Sequence, residues 1–170
     1  MNKADFLTKI LVSAREKNNP GKMNLILFKM IPFNKPHGIK VISVKHDSVS
    51  TFIPYKKKNF NHLKGIHACA ICTAGEFAAG LLLISHLSFD KYRLIMSELN
   101  AVYHRQGRSA LTATSRFPKG TSAESVKTVL ENEDKTLVKM ITELTDEEGE
   151  AVATITTTWQ LKKWEKVSLK

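Results

Sequence analysis

Cysteine is scarce: the chain of 170 residues holds two, Cys69 and Cys72. A disulfide scaffold is excluded, and a reducing compartment is the simplest setting. Five Pro and eight Gly exclude collagen-like and linker-like chains. Acids are short against bases, 16 Asp+Glu to 26 Lys+Arg, giving a formal net charge of +10. That surplus points to an anionic partner, such as nucleic acid, an anionic membrane or a phosphorylated small ligand. Aromatic residues are few at 8%, and no nucleic-acid motif is recognisable, so nucleic acid is not expected. The N-terminal apolar run Ile10-Leu11-Val12 is too short for a signal-peptide core.

Long apolar runs are also rare. The strongest, Ile66–Ile84, carries Glu76 at its centre. A carboxylate at mid-membrane costs roughly 2.5–3.5 kcal/mol, so this run reads as a buried helix rather than a membrane span. No membrane partner and a cytoplasmic location are expected. What is present is ordinary: 42% apolar and 25% charged residues, typical of a globular chain. The length suits about one domain, with a core that needs no metal staple.

Apolar spacing at Phe6, Leu7, Ile10, Leu11 and Ala14 predicts a helix over Asp5–Lys17, ended by Asn18-Asn19-Pro20-Gly21. A second helix over Met23–Ile31 stops at Pro32. Ile39–Val44 and Ser48–Tyr55 alternate as strands, joined at His46-Asp47-Ser48. The Ile66–Ile84 helix is apolar all round and rich in small residues, among them Ala74, Gly75, Ala78, Ala79 and Gly80. It should be buried on most sides, with a curved sheet wrapped closely around it. Strands follow at Tyr92–His104, irregular near Glu98-Leu99, then Leu111–Phe117, Thr136–Leu144 and Ala151–Leu161. Ser122–Leu130 is a short helix or connector. Runs of strands around one helix give an α+β class with an antiparallel sheet. Cys69 and Cys72, on one helical face without a second ligand pair, read as small core packing.

The chemistry concentrates in Asn59-Phe60-Asn61-His62-Leu63-Lys64-Gly65-Ile66-His67, followed by Glu76. A polar loop with Gly65 runs into the buried helix, whose first turn offers unpaired N–H groups to an anion or a developing oxyanion. Glu76 lies nine residues beyond His67, on the opposite side of the helix. A carboxylate on an apolar helix needs a partner, water or a cleft, and burial raises its pKa, which suits a general base.

The pattern Asn61-His62-x4-His67-x8-Glu76, on a long apolar helix after two strands, resembles the hotdog-fold acyl-CoA thioesterases. It is most similar to the phenylacetyl-CoA thioesterase branch and the thioesterase-like families near it. There an Asn precedes a His-Gly-Gly or Phe-Gly-Gly turn by six residues, and an Asp or Glu follows the turn's first residue by nine. Asn61, His67 and Glu76 match both spacings. The family's Gly-Gly pair is Ala68-Cys69 here, and a Gly usual three residues before the His position is Lys64.

The resemblance, over roughly Pro36 to Trp164, implies a hotdog domain over 36–170. A helical extension over 1–35 precedes it. It implies acyl-CoA hydrolysis, with Glu76 as base or nucleophile and Asn61 orienting water or the carbonyl. Gly65 and His67 would complete the catalytic set. Ile66 and Ala68 would present backbone N–H groups to the thioester oxygen. Lys57, Lys58, Arg93 and Arg105 would meet the coenzyme A phosphates. No cofactor or metal is implied beyond coenzyme A as part of the substrate. A homodimer or dimer of dimers is implied, with carboxylate and helix N-terminus supplied by different subunits. The departure at Ala68-Cys69 points to an alternative, a non-catalytic acyl-CoA binding module on the same fold.

Overall fold

The computed structural model describes residues 3–87 and 90–168. Two helices lead, α1 (Lys3–Lys17) and α2 (Gly21–Met30). Leu11 and Ala14 of α1 and Met23 and Leu27 of α2 are buried in the main core, so the helical lead packs on the same body as the sheet. Leu7, expected on the same face, has its side chain outside the described residues. Asn24 fixes α2 by bonding both backbone groups of Val41, at 2.9 and 2.7 Å.

A short α3 (Asn34–His37) follows, closed by Gly38 at φ +66, a left-handed cap that glycine adopts freely. It was not expected, because Pro32 reads as a stop. Pro36 is tolerated there because the first turn of a helix needs no N–H donor.

Six strands form one sheet in the order β1-β2-β4-β5-β6-β3. They are β1 (Lys40–Val44), β2 (Ser48–Ile53), β3 (Tyr92–Tyr103), β4 (Leu111–Arg116), β5 (Lys135–Thr145) and β6 (Ala151–Lys163), and every pairing is antiparallel. The register of β3 on β6 shifts between Met96 and Glu98, which places the expected irregularity at Ser97. A capping box between Ser122 and Ser125 starts α5 (Ala123–Asn132), a true helix rather than a connector.

The central helix is α4 (Ala68–His86), two residues later at each end than the apolar run suggests. Ile66 is excluded from it because it bridges Phe60 and donates its N–H to Gly107 O at 2.8 Å. α4 is long and apolar enough to cross a membrane, but here it fills the concave face of the sheet. The hydroxyls of Thr51 and Thr142 donate to Ala74 O and Gly75 O at mid-helix, at 2.9 and 3.1 Å. Close approach depends on two glycines: a Cβ on Gly75 would stand 2.7 Å from Ile155 Cγ1, and one on Gly80 2.9 Å from Trp159 Cη2.

Gly75→Ala is therefore expected to destabilise the protein despite better helix propensity. Overpacking costs about 1–3 kcal/mol against a gain of about 1 kcal/mol, so thermal unfolding should shift down by a few degrees. An unchanged or raised melting temperature would contradict this packing.

Candidate active site at the start of the central helix

Asn61 builds the approach to α4. Its Oδ1 accepts from Leu63 N and Gly65 N at 2.9 and 3.0 Å, and its own N–H donates to Gly65 O at 2.8 Å. This closes a tight turn with Lys64 at φ +61. The two accepted bonds assign the amide oxygen and leave Nδ2 as a donor. Gly65 has no conformational need for glycine, since a Cβ there would make only ordinary contacts at 3.5 Å or beyond. Asn59, one of the loop residues, is buried and structural: Nδ2 donates to His37 O and Pro54 O, both at 2.9 Å.

His67 is the N-cap of α4, and its Nδ1 accepts from Cys69 N at 3.1 Å. Its own N–H donates to Asn59 O at 2.7 Å. His67→Ala is expected to cost about 1 kcal/mol through the lost cap, whereas His67→Asn should keep the stability. Comparing turnover in the two variants separates capping from imidazole chemistry.

A backbone N–H donates once, so the Ile66 N–H, expected to face substrate, is committed to Gly107. Among the described residues the Ala68 N–H, at the first position of α4, has no acceptor. Ala68, Asn61 and Ile66 line a cleft of about 320 Å³, together with Tyr103, Arg105 and Gly107. Two donors, Ala68 N–H and Asn61 Nδ2, thus stand on the wall of one cleft. On the other side of the helix start, a cleft of about 230 Å³ runs between Phe33, Lys58, Phe60 and His67.

Glu76 lies on the helix stripe it shares with Cys69, Cys72 and Thr73, at spacings of three and four residues. These are the half-buried or exposed positions of the first half of α4. This corrects the reading of Cys69 as core packing, while Cys72 is half-buried and packs against the edge of the core. Cys69 is exposed, and Cys72 Sγ lies 3.1 Å from Tyr103 Oη. The stripe faces β3. Gly75 packs on Ile155 and Gly80 on Trp159, and these pair with Ala101 and Met96 of β3. Glu76 therefore comes level with Ala101 and Leu99. It has no hydrogen-bond or salt-bridge partner among the described residues, and burial alone pushes its carboxyl up to about 7.

Tyr103 was not singled out from the sequence. Its hydroxyl is also 3.4 Å from Ala68 O, and burial, then the bond to Cys72, pushes its pKa up, keeping it a donor. Strand alternation offers the signal that could have found it, since Tyr103 follows Leu99 and Ala101 on one face.

The cations expected at coenzyme A are dispersed. Lys58 lines the smaller cleft, and Lys57 is exposed beside it. Arg105 lines the larger cleft and pairs with Asp146. Arg93 does not reach either cleft from the same chain: it sits at the opposite end of β3 from Tyr103, bonded to Gln160 Oε1 at 3.2 Å. Ten residues of strand span about 33 Å.

At the far end of α4, atoms of His46, His86 and Glu124 able to bind a metal lie within 4.8 Å of one another. Both nitrogens of His86 are already engaged. Nδ1 is 3.1 Å from Arg15 Nη1, and Nε2 is 2.6 Å from His46 O. Arginine can only donate, so Nδ1 accepts and Nε2 carries the proton, leaving no lone pair for a metal.

The model of a family described as a domain of unknown function, DUF4442, matches residues 22–161. The chain belongs to the DUF4442 family. No curated protein matches this DUF4442 chain. Solved structures do. A Pseudomonas aeruginosa protein described as of unknown function and a probable thioesterase is 22% identical, with a TM-score of 0.74 over 81% of this chain and 91% of that one. A Haemophilus influenzae thioesterase is 14% identical, with a TM-score of 0.64 over 77% of this chain and 82% of that one. A Chlorobaculum tepidum protein of unknown function is 13% identical, with a TM-score of 0.72 over 84% of this chain and 93% of that one. At these identities the likeness carries the fold alone. It is the hotdog fold, an antiparallel sheet wrapped around one long helix.

Proposed function

We propose that this chain hydrolyses acyl-CoA thioesters in the cytoplasm, at a site completed by a second copy of itself. The observation that carries the reading is Glu76, a half-buried carboxylate without a partner among the described residues, poised near neutrality by burial. A partly buried carboxylate that keeps access to water and ionises near pH 7 is suited to act as a general base. The description of two fold neighbours as thioesterases supports the same chemistry.

In this reading the Glu76 carboxylate takes a proton from water, and the oxygen attacks the thioester carbonyl carbon. Ala68 N–H and Asn61 Nδ2 donate to the oxyanion. Collapse expels the coenzyme A sulfur, which takes the proton from Glu76, leaving a free acid and coenzyme A. A direct attack by Glu76 would pass through a mixed anhydride and give the same products. The Gly65 turn borders this site and Arg105 supplies a cation for the phosphates, whereas His67 and Lys58 stand on the cleft at the other side of the helix start.

One chain does not complete the constellation. Eight residues of helix put Ala68 N–H about 12 Å from Glu76 along the axis, too far to act on one carbonyl. β3 is one of the sheet's two edges, and along it Ile95, Met96, Leu99, Val102 and Tyr103 are exposed. Such an edge is a template for pairing. Antiparallel pairing of two β3 strands would set the Arg93 end of one copy beside the Tyr103 end of the other, giving Arg93 a route to the site.

The test is thiol release from short, long and aromatic acyl-CoAs, with Glu76→Ala alongside. Release that is lost in the variant supports the reading. Release that persists removes Glu76 from the mechanism. Tight binding without release from any member identifies a non-catalytic acyl-CoA module.

A further inference from the structure

The charge of this chain is concentrated. From Lys17 to Gly75 inclusive there are ten lysines and a single acid, Asp47. This stretch carries +9 of the total +10. One cofactor-sized phosphate group does not call for a segment of this extent.

The same segment exposes its apolar residues. α2 is anchored inward by Met23, Leu27 and the Asn24 bonds to Val41, which turns Leu25 outward between Lys22 and Lys29. Leu25 is 73% exposed, Met30 55% and Phe33 61%. Every exposed position from Gly21 to Pro36 is a lysine, a large apolar residue, a proline or Gly21; none is acidic. Lys35 lies just beyond Phe33, and the Lys56–Lys58 run is held beside α3 by the His37 to Asn59 bonds. A face of lysines around protruding apolar side chains is poorly suited to water and complementary to an anionic lipid surface.

We propose that α2 and α3 form a docking surface for anionic bilayers, on which the protein lies without spanning. This revises the expectation of no membrane partner, which came from the span-like helix and not from this face. Phe33 also lines the 230 Å³ cleft that leads to His67 and Cys69 at the start of α4. Docking would thus open that cleft toward the lipid, an entry for acyl chains. This last link rests on the thioester reading; the docking itself does not.

The experiment is co-sedimentation of the full chain with phosphatidylcholine vesicles, with and without 30 mol% phosphatidylserine. Binding is expected to the anionic vesicles at low salt, at least tenfold weaker on neutral ones, and released by 0.5 M NaCl as charges are screened. Leu25→Asp with Phe33→Asp, and separately Lys22→Glu with Lys29→Glu, should each lower binding tenfold or more. All four side chains are exposed, so unfolding temperature and oligomeric state should not change. No binding to anionic vesicles overturns the proposal. So does a change of oligomeric state in the lipid-free Leu25/Phe33 variant, which would make the patch a contact between copies. Acyl-CoA binding without vesicle binding would assign the charge to the small ligand and overturn it too. Loss of hydrolysis in Glu76→Ala with vesicle binding intact tests the site reading separately.

Discussion

Glu76→Gln is expected to lower turnover of acyl-CoA by 10²- to 10⁴-fold, the usual contribution of a general base. It should also stabilise the protein above neutral pH. The carboxyl is raised from 4.5 to about 7 by burial, so between those values the native state holds a proton that the unfolded chain has released. Stability contributed by this group is present below pH 4.5 and is lost as pH rises through 7. The full shift corresponds to on the order of 3 kcal/mol. The unpartnered amide of Gln returns part of that, so the net gain at pH 8 should be about 1–2 kcal/mol, a few degrees in melting temperature. The gain should vanish near pH 4.5. Turnover in the wild type should rise through pH 7 as Glu76 ionises. A variant that is inactive but no more stable at pH 8 than at pH 4.5 would mean that the carboxylate has a partner in solution.

The second large effect concerns the sheet edge. Leu99→Lys with Val102→Lys is expected to convert the proposed dimer into a monomer and to reduce turnover at least a hundredfold, while circular dichroism stays the same. Leu99 lies level with Glu76 on the inner face of β3 and Val102 lies on the outer face, and both are exposed within one chain. Lysines on an edge strand block pairing without touching the core. Light scattering and the thiol-release assay on the same sample read both consequences. A wild-type protein that is monomeric and fully active would remove the need for a second copy, and Glu76 would then have to reach its substrate within one chain.

Much of this was legible in the sequence. Alternation along Ala151–Leu161 predicted β6, and Ile155, Trp159 and Leu161 are buried as that pattern required. The small residues of the central apolar run predicted close wrapping, and Gly75 and Gly80 meet Ile155 and Trp159 accordingly. These are local regularities, set by period and side-chain volume, and they read directly from the chain.

The site was only partly legible. Glu76 stood out because a carboxylate in an apolar helix demands an explanation. That it has no partner among the described residues was not readable, since that depends on what β3 and β6 place around it. Ile66 and Ala68 look equivalent in sequence, but a carbonyl from Gly107, 41 positions away, takes one N–H and leaves the other. Cys69, apolar enough for the core, is exposed instead, while Cys72 packs at the core's margin with its sulfur beside Tyr103.

The sequence alone determined the order of elements, the single long helix and the imbalance of charge, because these follow from composition and periodicity within short windows. Only the tertiary structure decided which donors stay open, which strand becomes the edge and where the lysines gather around exposed apolar side chains. Those outcomes depend on pairings between distant segments, and no local pattern encodes which of two chemically similar groups a remote strand will cover.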